Sequence, residues 1–170
     1  MDKGSSHLPL GLDSGCVKTH LDDTDVQLLS MLQADGRITN AELARKVGLS
    51  PPSALQRVRN LERAGLIRGY HAVLDHERLG LRVTVIAMVS LALHQDRAIE
   101  LFRKAVAAIP EVVECYHISG EHDFILKILV KDIRAYEALV RDNLSRIKGV
   151  QKLTSSFVLA VPKLTHIVPL

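Results

Sequence analysis

The chain has 170 residues, 47% of them hydrophobic, with a formal net charge of +3 and a sequence pI of about 9.0. That length accommodates one medium domain or two small ones, and the modest basic excess favours an anionic partner. No run approaches the roughly eighteen apolar residues of a membrane span, no cationic-then-apolar leader opens the chain, and Cys16 and Cys115 lack metal or redox spacing. A soluble, cytoplasmic protein with reduced thiols is expected, and no disulfide framework.

Residues 1–20 are rich in Gly and Ser and read as a mobile tail without an assigned function. Asp22 then caps a first helix, with Asp25 at its third position and Val26, Leu29 and Leu32 on one face, and Asp35-Gly36 ends it. From Ile38 to Ala64 the pattern is two short helices joined by a tight turn. Thr39 caps the first of the pair, Glu42 completes a capping box, and Ile38 staples onto Leu43. Ala41, Leu43, Ala44 and Val47 form its buried side. Gly48 supplies a left-handed cap, Leu49 tucks inside, Ser50 caps the next helix, and Pro51 takes its first position.

On that second helix Leu55, Val58 and Leu61 share one side, while Ser53, Gln56, Arg59, Asn60 and Arg63 share the other, with Arg57 at the border. Arg, Gln and Asn offer planar donor and acceptor pairs that match base edges in the major groove, and serine hydroxyls can donate to phosphate. Between Arg37 and Arg68 there are seven cations and two carboxylates, so this segment carries 7 − 2 = +5 against +3 for the whole chain. A solvated polar face is the plain alternative, but concentrated charge beside such a helix pair is the footprint of a DNA-contacting helix-turn-helix. Arg57, Arg59, Asn60 and Gln56 are expected to read bases, and Arg37, Arg45, Lys46, Ser50, Ser53 and Arg63 to hold phosphates.

Leu66 to Leu74 reads as a strand leaving this module, and His76 to Leu81 as a hinge. From Val83 to Leu93 the apolar period is two. A helix from Asp96 turns Ala98, Leu101, Phe102, Ala105 and Ile109 inward and closes at Pro110. Strands follow over Val112 to Ser119 and Asp123 to Lys131, then a helix capped by Asp132 with Tyr136, Leu139, Val140, Leu144 and Ile147 inward, and a last strand over Val150 to Val161. The order β-α-β-β-α-β is ferredoxin-like. Two helices on one face of its sheet leave the other face apolar and uncovered, so self-association is expected, and a two-fold dimer would set two recognition helices on one duplex. The expected division is 21–69 for the DNA-binding domain, 70–81 for a linker strand and hinge, 82–162 for the second domain, and 163–170 for a tail.

These residues resemble the Lrp/AsnC, or feast/famine, regulators of bacteria and archaea from Leu21 to about Pro162. The likeness rests on Leu21-Asp22-x-x-Asp25, Asp35-Gly36-Arg37, Glu42-Leu43-Ala44, Val47-Gly48-Leu49-Ser50, Arg57-Val58-x-x-Leu61-Glu62 and Gly65-x-Ile67-x-Gly69-Tyr70. In the second domain Ser119-Gly120-Glu121-His122-Asp123-Phe124 is similar to the Gly-x-x-Asp-aromatic signature of the family's RAM domain. The resemblance implies an α+β chain with a winged helix-turn-helix domain and a RAM domain, acting as a nucleoid-associated transcriptional regulator of amino-acid metabolism. It also implies dimers that pair through their sheets and assemble into tetramers or octamers. An amino-acid effector would lie between dimers, against Ser119, Gly120, Glu121, His122, Asp123, Leu153 and Ser155. Gly120 permits close approach of backbone N–H groups to a carboxylate, and Asp123 can accept from an ammonium. Many members carry a pair of hydroxyl residues where this chain has Leu153 and Ser155, so half of that pair is missing.

Other chemistry fits less well. Cys115, His117, His122 and Asp123 lack a second ligand pair with zinc spacing, no nucleophile motif or phosphate-cradling loop is present, and no cofactor is expected. Siroheme decarboxylase subunits share the two-domain plan, but that reading wants a degraded recognition helix, and here Arg57, Arg59, Asn60 and Arg63 remain. A sensor without DNA binding is disfavoured for the same reason.

Overall fold

The computed structural model describes residues 20–92 and 96–170. The expected N-terminal tail, apart from His20, and the strand position at Leu93 lie outside the described residues. The described residues form two compact units, one running up to His71 and including Thr165–Leu170, the other spanning Ala72–Leu164.

The first unit holds α1 (Asp23–Ala34), α2 (Asn40–Val47) and α3 (Pro51–Arg63) around a core of Leu28, Leu29, Leu43, Val58 and Leu61. Its helix ends follow local chemistry. The Asp22 carboxylate accepts from the Asp25 N–H at 2.8 Å, Thr39 and Glu42 form the reciprocal capping box, Gly48 takes φ 71°, and Ser50 caps α3 ahead of Pro51. The buried stripes are displaced slightly from those expected. Leu28 is fully buried beside Leu29, whereas Val26 and Leu32 are half-buried. Ala41 faces solvent in the first turn of α2. On α3 the stripe is Ala54, Val58 and Leu61, at spacings of four and three, and Leu55 lies at its margin.

Residues 66–74 form no strand, which corrects the strand expected there. A strand needs a ladder partner, and none of the described residues supplies one. The chain instead folds back on α3: the Leu66 and Ile67 N–H groups both donate to the Leu61 carbonyl, at 3.0 and 3.4 Å, and the Tyr70 hydroxyl donates to Glu62 at 3.0 Å.

The second unit contains β1 (Val83–Leu91), α4 (Asp96–Ala107), β2 (Val112–His117), β3 (Phe124–Val130), α5 (Ile133–Asp142), a 3-10 turn (Leu144–Arg146) and β4 (Val150–Phe157). All pairings are antiparallel and the strand order is β2-β3-β1-β4, the expected ferredoxin-like sheet. Val85, Ala87, Val89 and Leu91 of β1 and Phe124, Leu126, Ile128 and Val130 of β3 point to one face. There they meet Phe102 and Val106 of α4, Tyr136 and Leu139 of α5, and Leu144. Leu101, expected inside, is 52% exposed, and Val106 takes the inward place one turn along from Phe102. β2 stops at His117 and β4 at Phe157, both short of the expected ends; Val158 adds one bond to the Thr84 carbonyl before the chain departs. The opposite sheet face presents half-buried Ile86, Met88, Ile125 and Leu129.

Candidate nucleic-acid interface and ligand turn

The outer surface of α3 follows from its capped start and its single apolar stripe: with Ala54, Val58 and Leu61 turned inward, Ser53, Gln56, Arg59, Asn60 and Arg63 are exposed. Three of them interlock. Asn60 Oδ1 accepts from Gln56 Nε2 at 3.0 Å and from Arg63 Nη2 at 2.9 Å, so both carbonyl lone pairs are used. At the start of the helix Ser50 Oγ and Ser53 Oγ lie 2.8 Å apart, an arrangement in which one hydroxyl hydrogen bridges the pair and the other remains to donate. Arg37, Arg45, Lys46 and Arg59 are exposed, and among the described residues no ion pair neutralises them.

Arg57 departs from its expected place on that surface. Its Nη1 donates to Asp22 Oδ2 at 2.7 Å and to Asp25 Oδ1 at 2.8 Å, so the guanidinium clasps the N-terminal turn of α1. The same carboxylate of Asp22 caps α1 through the Asp25 N–H. That backbone hydrogen bond first, and then the Arg57 guanidinium, hold the Asp22 carboxyl below the usual carboxylate range. Reciprocally, the Asp25 and Asp22 carboxylates raise Arg57 above its ordinary value.

In the second unit the turn between β2 and β3 lies at the sheet end where β1 finishes and β4 begins. Gly120 adopts φ 127°, a conformation that an L side chain strains to reach. β1 changes register against β4 between Ser90 and Leu91. By ordinary alternation the Leu91 N–H faces the same edge as the Val89 carbonyl; Asp123 Oδ2 accepts it at 2.7 Å, and the Asp123 N–H donates to the Val89 carbonyl. His122 Nδ1 lies 3.0 Å from Ser90 Oγ, and Lys152 Nζ pairs with Glu121 at 3.4 Å. The structure therefore gathers Ser119, Gly120, Glu121, His122 and Asp123 with Ser90 and Lys152, two residues the sequence reading omitted. Ser90 sits where alternation marks an ordinary strand position, and Lys152 is a lone cation, so neither carried a signal of its own.

Leu153 and Ser155 share the helix-covered side, opposite Val89 and Ala87. Leu153 packs against the core, and the Ser155 hydroxyl lies 2.5 Å from the Tyr136 hydroxyl of α5. Burial raises the Tyr136 pKa, while the bond to Ser155 lowers it in part. His117 stacks on Phe124 at 4.8 Å, and burial also raises the Cys115 thiol. Among the described residues no three His, Cys, Asp or Glu side chains converge as a metal site.

The family profile described as the Lrp/AsnC ligand binding domain matches residues 84–168, and that of a winged helix-turn-helix DNA-binding domain matches residues 21–68. The chain belongs to the Lrp/AsnC family. It is 36% identical to the transcriptional regulator AzlB of Bacillus subtilis, over 88% of this chain and 96% of that protein. It is 38% identical to the leucine-responsive regulatory protein of Haemophilus influenzae, over 86% of this chain and 88% of that one. Among solved structures, a transcriptional regulator from Neisseria meningitidis in complex with L-Met aligns with a TM-score of 0.84 at 39% identity, covering 88% of this chain and 97% of its own. As an Lrp/AsnC protein, the chain is a transcriptional regulator with a DNA-binding helix-turn-helix unit and a ligand-binding unit. No helix among the described residues is long and apolar enough to cross a membrane.

Proposed function

We propose that the protein is a homodimer, or a higher closed assembly of dimers, that places α3 in the major groove of promoter DNA in the cytoplasm and changes its DNA binding when an amino acid binds the second unit. The observation that carries the reading is the exposed face of α3 together with Arg37, Arg45, Lys46 and Arg59, which no ion pair among the described residues neutralises. Arg59, Gln56 and Asn60 read base edges, and Arg37, Arg45, Lys46, Ser50, Ser53 and Arg63 hold phosphates. Arg57 leaves the base-reading set and acts as a positioning residue that fixes α3 against α1. For Asn60 to read adenine through both amide atoms, it must release Gln56 or Arg63.

The effector occupies the end of the sheet formed by the Ser119 to Asp123 turn, with Leu153 and Ser155 beside it at a dimer–dimer contact. The Neisseria regulator's complex with L-Met supports an amino acid of apolar side chain. Its binding shifts assembly state or domain placement through unequal affinity for those states. Sheet faces bearing Ile86, Met88, Ile125 and Leu129 pair the subunits. Direct DNA titration of two variants tests the division of labour. Lys46→Ala weakens all duplexes alike and reduces the slope of log affinity against log salt by about one, whereas Asn60→Ala erodes preference at particular base positions. Equal losses on specific and scrambled DNA for Asn60→Ala would remove it from base reading.

A further inference from the structure

The basic stretch from Arg37 to Arg68 contains two carboxylates, Glu42 and Glu62, and hydroxyl groups engage both. Thr39 Oγ1 lies 3.1 Å from Glu42 Oε2 within the capping box. Glu62, the one carboxylate of α3, accepts the Tyr70 hydroxyl at 3.0 Å through Oε1. Tyr70 is set in place by its own segment. The Leu66 and Ile67 N–H groups tie the chain to the Leu61 carbonyl, and the ring passes beside the turn between α1 and α2, where a Cβ placed on Gly36 would meet Tyr70 Cδ1 at 3.6 Å. All of these groups belong to the first unit.

Helix geometry says what this clasp prevents. Arg59 precedes Glu62 by three residues, a spacing that makes two side chains neighbours on a helix surface. Arg57 is taken by Asp22 and Asp25, and Arg63 by Asn60 and the Arg59 carbonyl, so Arg59 is the cation of α3 that a released Glu62 would meet. Among the described residues no ion pair joins Arg59 to Glu62.

We propose that Tyr70 is a positioning residue for DNA binding: its hydroxyl holds the Glu62 carboxylate off Arg59 and keeps that guanidinium available to DNA. The proposal rests on the assignment of α3 and Arg59 to DNA and adds a residue that acts through Glu62 rather than by contact. A phenol suits the task because it satisfies a carboxylate without drawing a cation from the surface. Burial first, and then the bond to Glu62, raise the Tyr70 pKa, so the hydroxyl stays a donor at neutral pH.

Full-length variants test the role by fluorescence anisotropy on the protein's own upstream duplex and on a scrambled one. Tyr70→Phe keeps the ring and loses the donor, and weakens both duplexes about two- to fivefold, the scale of an exposed ion pair. Glu62→Gln has no charge to misplace and binds at least as tightly as the parent, and adding Tyr70→Phe to it changes nothing. Unchanged binding by Tyr70→Phe alone overturns the proposal. So does an equal loss in the Glu62→Gln background, since Tyr70 would then act on DNA or through packing. A carbon-13 titration of the tyrosine rings reads the clasp without DNA: the Tyr70 pKa falls in Glu62→Gln, and a Tyr70 resonance indifferent to that substitution overturns the clasp. A parent that binds neither duplex while the titration behaves as expected overturns the assignment of α3 to DNA, and the positioning role with it, but not the hold on Glu62.

Discussion

The two surfaces proposed for DNA and for effector differ in what holds their polar groups. Around α3 the cations Arg37, Arg45, Lys46 and Arg59 stand in solvent, while the small apolar core and the caps beneath fix where they point. At the Gly120 turn the polar groups are already partnered: Asp123 with the Leu91 N–H, His122 with Ser90, Glu121 with Lys152. A surface for a polyanion can wait exposed, because charge attracts its partner and release of counterions drives association. A pocket for a small zwitterion must exchange existing bonds for ligand bonds, so its affinity depends on the balance between the two sets. On the proposed assignment of these two surfaces, ligand response is the more fragile of the two functions.

Core truncation gives the largest effect and separates the units most sharply. Leu28→Ala removes a fully buried side chain from a cluster of five buried residues and is expected to cost about 2–5 kcal/mol. Thermal unfolding followed separately in each unit should show the first melting early and the second unchanged. Asp123 comes next. Asp123→Ala strands the Leu91 N–H at the strand irregularity, an expected cost of about 1–3 kcal/mol. Asp123→Asn keeps an acceptor for that N–H but loses the charge that an ammonium would meet. It should leave the melting temperature near that of the parent while abolishing any calorimetric L-Met response, and an intact response would remove Asp123 from the ligand site.

Arg57 tests whether the helix-turn-helix surface needs a scaffold of its own. Arg57→Lys retains charge but carries it on a shorter stem that reaches Asp22 and Asp25 less well than Arg57 Nη1 does, and Arg57→Ala retains nothing. If Arg57 positions α3, both variants weaken specific DNA binding, Lys less than Ala, and Asp25→Asn shows a similar loss although it adds no unfavourable charge near DNA. Weakening by Arg57→Ala alone, with Asp25→Asn at parental affinity, would restore Arg57 to direct contact.

The smallest effect is that of pH. The folded-state pKa of Asp22 lies below its unfolded value, so its stabilising contribution is complete above the ordinary carboxylate range and is lost as pH falls through the lowered value. Acid unfolding of the first unit should accordingly be less steep in Asp22→Asn, where the amide still caps α1 but no charge faces Arg57.

What was readable in the chain was local. Thr39 with Glu42, Gly48, and Ser50 with Pro51 each announce a helix end through nearest neighbours, and alternation from Val83 onward announces a strand. The failures share a different cause. Residues 66–74 have strand composition but no partner, and a ladder is a property of two segments. Arg57 resembles its neighbours on the helix, yet its partners lie 35 and 32 residues earlier. Ser90 and Lys152 join the turn only because β1 and β4 end beside it, and Ser155 meets Tyr136 only across the sheet–helix layer.

The central claim is a DNA regulator whose affinity answers to an amino acid, and fluorescence anisotropy tests it most directly. The protein is titrated against its own upstream DNA and a scrambled duplex over a range of salt, with and without L-Met and then the pool of twenty amino acids. The account predicts preference for the upstream duplex, a steep salt dependence, and a shift in affinity when amino acid is added. Absence of binding to either duplex at low salt would contradict it.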